Sequence, residues 1–202
     1  MIINMKKQTL LILLFTILNL PAMAQVLKMN EPTISDYLPL LKAQGYVAYS
    51  FDTKEFVDRQ VEPVVMEYVK GEEPRDVLGF SITMSLDEKL VIGFAPSDND
   101  STAIYTFNFS EGRGFNGRLN LKAIDAPEEP TKSRYIYESR PFELVPPFKA
   151  GQFIPLVMYA SYWYEPETGV SRFCGESIIK PDLSSDIVKS IPHYYVLGIK
   201  LK

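Results

Sequence analysis

Ile104-Tyr105-Thr106-Phe107-Asn108-Phe109 is the stretch on which the reading of this chain turns. Three aromatic rings, at 105, 107 and 109, alternate with Thr106, Asn108 and the more weakly placed Ile104. Side chains on a strand alternate between its two faces, so this period of two puts one apolar face inward and leaves the other wetter. The same period recurs on both sides. Leu78, Phe80, Ile82 and Met84 alternate with Gly79, Ser81 and Thr83, and Leu90, Ile92 and Phe94 form a second set after Asp87-Glu88. Leu119, Leu121 and Ala123 alternate with Arg118, Asn120 and Lys122. Half-buried alternation of this kind is the mark of antiparallel strands. Residues 153–164 are apolar or aromatic on both faces and predict a long central strand. His193 to Leu201 predicts another, with Tyr195, Leu197, Ile199 and Leu201 on one side.

The punctuation agrees. Pro96-Ser97-Asp98-Asn99-Asp100 and Glu111-Gly112-Arg113-Gly114-Phe115-Asn116-Gly117 read as loops, and Glu165-Pro166-Glu167-Thr168-Gly169 as a tight hairpin connection. Ala126 to Pro130 and Pro146-Pro147 break the chain again. One short N-terminal helix is expected from Ser35 or Asp36, as its cap, to about Gln44, with Gly45 ending it. Pro39 argues against an earlier start, because proline is tolerated only in a first turn. Asp186 to Ser190 predicts one more helical turn. Short strands without alternating helices imply a mostly β fold: an antiparallel β-sandwich or an open, barrel-like pair of sheets.

The N-terminus has its own logic. Lys6 and Lys7 precede the apolar run Leu10 to Leu18, and Ala22-Met23-Ala24 follows the Asn19-Leu20-Pro21 break. These are the parts of a secretory signal peptide, and the run is too short to span a bilayer. The expected organisation is therefore a signal peptide at 1–24 and a single β-rich domain at 25–202, beginning at Gln25. No Cys follows the cleavage site, so no lipid anchor is expected, and no later stretch reads as a transmembrane segment. A periplasmic or secreted protein follows.

Charge and composition narrow the partners. The signal carries two lysines and no acid, so the mature chain is more acidic than the −4 of the whole sequence. Mild acidity without a Lys/Arg cluster excludes nucleic acid as an expected partner. Cys174 is the lone cysteine, so no intramolecular disulfide forms and a small buried hydrophobe is expected. His193 is the lone histidine, which suits a hydrogen-bonded residue opening a core strand better than a metal ligand or a partner for Cys174. No metal and no cofactor is expected. Asp98-Asn99-Asp100 lacks the full calcium-loop spacing, and the glycines at 112, 114 and 117 lead into a strand rather than a helix.

Two functions remain. Tyr159, Tyr162, Trp163 and Tyr164 form an aromatic run beside the hairpin tip, where Tyr162 and Tyr164 share one face and Trp163 takes the other. Tyr162, Trp163 and Tyr164 are the ligand-binding candidates, since flat rings near a turn stack on sugars or anchor a protein. This favours a non-enzymatic envelope module binding a glycan or an envelope protein. The alternative is a carboxylate-dependent hydrolase of glycan or peptide, drawing on Glu138, Glu143, Glu165, Glu167 and Glu176. No catalytic residue is singled out.

Glu31-Pro32-Thr33-Ile34-Ser35-Asp36-Tyr37-Leu38-Pro39-Leu40-Leu41, with Ala43 and Gly45-Tyr46, resembles the start of the mature chain in an uncharacterised family of small exported proteins from Bacteroides-type bacteria. The ending Ile191-Pro192-His193-Tyr194-Tyr195-Val196-Leu197-Gly198-Ile199 resembles it too. The resemblance covers most of the mature chain and implies a bacterial envelope setting. It is a domain of unknown function, so it brings no chemistry with it.

Overall fold

The computed structural model describes Met29 and residues 31–110, 112–129 and 132–202. The expected signal peptide lies outside the described residues. Contacts divide the chain after Tyr37, and every strand belongs to the unit Leu38–Lys202.

The period of two becomes two antiparallel sheets. The first, four-stranded, has the order β1-β5-β6-β7, built from β1 (Val47–Asp52), β5 (Lys89–Pro96), β6 (Thr102–Ser110) and β7 (Arg113–Asn120). The second, six-stranded, has the order β3-β2-β12-β9-β8, from β3 (Arg75–Asp76), β2 (Gln60–Val69), β12 (His193–Leu201), β9 (Phe153–Ser161) and β8 (Tyr137–Pro141). The short β4 (Met84–Ser85) also pairs with β2. The inward residues Leu90, Ile92, Phe94, Tyr105, Phe107, Phe109 and Leu119 of the first sheet pack with Val61, Val65, Val157, Tyr195, Leu197 and Ile199 of the second. This is a β-sandwich, with aromatic stacking such as Phe107 on Phe115 at 5.4 Å inside it. Each fully buried ring or branched chain contributes about 1.5–3 kcal/mol, so this layer supplies most of the driving force.

The outer face of the second sheet is covered as well. Met158, Ala160 and Val196 look away from the sandwich and meet Phe142, Cys174, Ile179, Val188 and Ile191. The cover comes from a two-stranded hairpin, β10 (Trp163–Glu165) with β11 (Val170–Arg172), and from α2 (Asp186–Ser190). Cys174 is 2% exposed and unpaired, as a small core residue. Burial pushes its thiol up.

Five expectations need correction, four of them in the strands. Residues 78–83 are not a regular strand: Gly79 adopts φ +75°, and the segment leaves the edge of β2 between the β3 and β4 pairings. The glycine-rich loop is instead most of β7. A side chain at Gly114 would stand 2.4 Å from the Phe107 carbonyl oxygen, and one at Gly117 would stand 2.5 Å from the Tyr105 hydroxyl. Gly117 lets the Tyr105 ring of β6 lie across β7, and Gly114 lets the two backbones approach. β7 also ends at Asn120, so Leu121 and Ala123 lie beyond it. The strand expected over 153–164 is interrupted at Tyr162.

The helix α1 (Ile34–Ala43) begins earlier than Pro39 suggested. Thr33 occupies the cap, and the Asp36 carboxylate accepts both its backbone N–H at 2.6 Å and its hydroxyl at 2.8 Å. The bond to the Thr33 N–H is one half of a capping box; it satisfies a donor at the cap and favours the earlier start. At the other end Gly45 donates to Lys42 O and Tyr46 to Leu41 O, a Schellman closure that matches the expected stop. No α1 residue is buried. Among the described residues no helix is long and apolar enough to cross a membrane.

Gly198 tests the packing between β12 and β9. The register shifts between Leu197 and Gly198, and a Cβ at Gly198 would lie 2.2 Å from the Ile154 carbonyl oxygen. Gly198→Ala should lower the unfolding free energy measured in urea by roughly 1–3 kcal/mol. Gly175→Ala, with nothing within 4 Å of the added methyl, should change it by no more than about 0.5 kcal/mol.

Candidate functional site

Where β9 ends, Tyr162 donates its backbone N–H to Ile136 O at 2.9 Å, and the chain turns into the β10–β11 hairpin. The expected tight turn is present, closed by Gly169 N–H to Glu165 O at 2.8 Å. The Tyr162 ring packs on Phe173 at 4.9 Å. Its hydroxyl donates to Glu138 Oε2 at 3.0 Å. Glu138 Oε1 accepts from Arg140 at 2.7 Å, and the Arg140 guanidinium lies over the Phe173 ring at 4.7 Å. Arg140 also donates to the Glu176 carbonyl at 3.2 Å. Burial, then the Glu138 carboxylate, pushes the Tyr162 hydroxyl up.

Of the three aromatic candidates, Tyr162 belongs to this cluster, whereas Trp163 packs against the second apolar layer. All three, including Tyr164, are half-buried. Among the five acids considered from sequence, Glu138 reaches Arg140 with its carboxylate and Glu176 only with its backbone carbonyl. Glu176 accepts Ser185 at 2.8 Å through one oxygen, while its other is shielded and has no partner. Glu165 is tied to Arg172 at 2.7 Å, and Glu143 and Glu167 are exposed. The edge strand β8 thus presents a carboxylate and a guanidinium, and the end of β9 adds the Tyr162 phenol, beside the Phe173 ring. Arg140 and Glu138 keep 24% and 43% of their side chains exposed, so water or a hydroxylated ligand can reach them.

A second cluster has the residue types of catalysis but not the access. Glu67 is 3% exposed, His193 1% and Tyr195 2%. Glu67 Oε1 accepts His193 Nε2 at 2.9 Å, and Arg75 binds Oε2. Tyr195 donates its one hydroxyl proton toward Asn120 O at 2.7 Å, with Glu67 at 3.1 Å. Tyr137 bonds His193 Nδ1 and accepts the Lys122 N–H at 2.9 Å. Burial would raise the Glu67 carboxyl, but hydrogen bonds from Arg75, His193 and Tyr195 outweigh it and hold it low. Burial pushes His193 down, more than the Glu67 partner pushes it up. The arrangement that satisfies every group has neutral His193 donating from Nε2 and accepting the Tyr137 proton at Nδ1. Burial drives the Tyr137 and Tyr195 hydroxyls far up, so neither ionises. A chain of acid, imidazole and phenol sealed this way fastens strands together.

The remaining motifs are structural. Asn99 Oδ1 accepts Ser101 N–H at 3.1 Å and closes its own turn. Among the described residues no group of three or more His, Cys, Asp or Glu is placed to hold a metal. Sequence reasoning missed Glu67, Tyr137 and Arg75. The signal it had was Glu67 in the inward register of Val61, Pro63 and Val65, where an acid needs a buried partner.

A family model described as a domain of unknown function, DUF5041, matches residues 21–202. No curated protein matches, and no solved structure does.

The sealed network makes stability depend on pH. His193 is held below its ordinary 6.5 in the fold, so below about pH 6.5 the unfolded chain takes up a proton that the folded chain refuses. Stability should fall by up to about 1.4 kcal/mol per pH unit there, with a further loss below the ordinary Glu value of 4.5 as Glu67 is protonated. Urea unfolding at pH 7.5, 6.5 and 5.5 should show this decline, and His193→Gln should flatten it. Equal slopes for the two proteins would assign the acid sensitivity elsewhere.

Proposed function

The chain belongs to the DUF5041 family, a domain of unknown function, and we propose that it is an exported, non-enzymatic binding module of the bacterial cell envelope that holds a glycan at the β8–hairpin edge. The convergence of Glu138, Arg140 and Tyr162 beside the Phe173 ring carries this reading. Sugars present C–H faces that pack on aromatic rings and hydroxyls that bond carboxylates and guanidinium groups, and this edge offers both. The acid–imidazole–phenol chain, closed off from substrate, favours binding over catalysis. Export rests on the three-part N-terminal segment, with a mature chain from Gln25 in the periplasm or outside the cell. The resemblance to proteins of Bacteroides-type bacteria supports the same setting.

A protein partner is the second reading. It is favoured by α1, which exposes Leu38, Leu40 and Leu41. Surface apolar side chains grouped on one helix suit a protein interface better than a sugar.

Capture on an array of envelope glycans separates these readings. The mature chain, its mass checked for a start at Gln25, should retain a glycan ligand, and Tyr162→Phe with Glu138→Gln, which keep the ring packing and the side-chain volume, should weaken retention at least tenfold while lowering stability by no more than about 2 kcal/mol. Trp163→Ala should instead destabilise the fold by roughly 3 kcal/mol, since it removes a large ring from the second apolar layer. Retention that survives the double substitution would move the site away from this edge. Release of a shortened glycan would replace binding with the hydrolase reading.

A further inference from the structure

The two sheets end in four edge strands, β1 and β7 in the first and β3 and β8 in the second. Native edges avoid adding strands by being short, charged, irregular or interrupted by proline. Three of these edges use such means. β7 bears Arg113, Arg118, two glycines and a register shift against β6. β8 bears Glu138, Arg140 and Pro141, and Ile179 N–H donates to Pro141 O at its end. β3 is two residues long, both charged. β1 has none of these devices. It reads Val-Ala-Tyr-Ser-Phe-Asp, with strong strand formers at 47, 49 and 51 and a single charge at its last residue.

One bond gives the direction of its free groups. Thr53 donates its N–H to Glu88 O at 2.9 Å, directly opposite it in the continued β1–β5 register. Bonding to a given neighbour alternates along an antiparallel strand. Val47, Tyr49 and Phe51 therefore bond β5, while Ala48, Ser50 and Asp52 turn their N–H and C=O groups outward. All three residues are exposed, and these groups have no other partner among the described residues. Their side chains share the outer face of the first sheet, because Tyr49 and Phe51 pack inward. On that face Ala48 lines a groove of about 670 Å³ together with Leu38, Leu41 and Lys42 of α1.

We propose that β1 pairs with β1 of a second copy of this chain, antiparallel about a two-fold axis at Ser50, so that the two first sheets become one continuous sheet. A two-fold relation requires one residue to face itself across the axis. Centring on Ser50 sets Ala48 against Asp52 of the other copy at both ends, so every outward group finds a mate, in about six backbone bonds. Centring on Tyr49 would set Asp52 against Tyr46, whose N–H is already given to Leu41 O at 3.0 Å. Charge favours the same register and the same occupant. The present ion pair of Asp52, to Lys54 at 3.4 Å, is exposed on both sides and weak. Opposite Ala48 of the other copy, Asp52 stands at the mouth of the groove that holds Lys42, and the axis makes that pairing twice. The interface uses none of Glu138, Arg140 and Tyr162, so it is independent of the glycan reading.

Sedimentation equilibrium of the mature chain, from low micromolar to several hundred micromolar, should show a monomer passing to a dimer. Ser50→Pro removes the donor at the axis and no bond to β5, a change that edge strands tolerate, and should weaken the dimer at least tenfold. Lys42→Glu, at an exposed helix position that leaves the strand intact, should weaken it at least threefold at low salt, and adding Asp52→Lys should recover most of that loss. A mass that stays monomeric throughout would overturn the proposal and leave this edge to a different chain. A dimer unchanged by Ser50→Pro would overturn it by placing the contact elsewhere. So would a double variant that dimerises no more tightly than Lys42→Glu alone.

Discussion

A carboxylate taken out of water must be compensated, and in this protein the requirement falls on Glu67. Its side chain occupies the inward register of β2, among valines, where an unpaired charge would be destabilising by several kcal/mol. His193 from β12 and Arg75 from β3 answer it directly, and Tyr195 adds a weaker share. Through His193 the network reaches Tyr137 of β8, and through Tyr195 and Tyr137 it reaches the backbone of Asn120 and Lys122 in and after β7. Five strands and both sheets therefore depend on one buried acid. Apolar packing brings the sheets together, and this network fixes how they register, because its bonds are directional.

The two ends of β12 consequently differ. His193 opens the strand inside the polar network, and Leu201 closes it against an apolar cavity, roughly 27 Å away at about 3.4 Å per residue. One end is fastened by hydrogen bonds between the sheets. The other is held by aliphatic contact. The second apolar layer adds a third region, in which the β10–β11 hairpin carries Tyr162 beside the β8 edge. Fastening, cavity and edge patch are thus served by different residues of one sandwich.

Much of this was legible in the sequence. β5, β6 and β12 follow from alternation, and the stop of α1 follows from Gly45. β2 was not read: its Pro63 is a residue that ordinarily argues against an inner strand, and its buried run Pro63-Val64-Val65 breaks the alternation. The proline is tolerated opposite Ile199, along the stretch of β2 that separates the β3 and β4 pairings. β7 was hidden by its glycines, which give room to the β6 backbone at Gly114 and to the Tyr105 ring at Gly117, a non-local reason that no local pattern carries. The site was half visible. Tyr162 stood out as an aromatic near a turn, but its partners Glu138 and Arg140 lie more than twenty residues earlier in sequence, and only strand pairing brings them to it. His193 read correctly as a core histidine. Its partner Glu67, 126 residues away, could not be chosen from a chain with 25 acids.

The dependence of the fold on the Glu67–His193 pair is tested most directly by a double-mutant cycle in urea at pH 7.5. Glu67→Leu and His193→Leu should each lower stability by roughly 3–5 kcal/mol, because each leaves a buried polar partner unanswered. The double Leu variant removes both orphans together and should be destabilised by clearly less than the sum, with a coupling above about 1 kcal/mol. Additive losses would contradict the account, since they would mean that the two residues act separately and that no shared network holds the sheets in register.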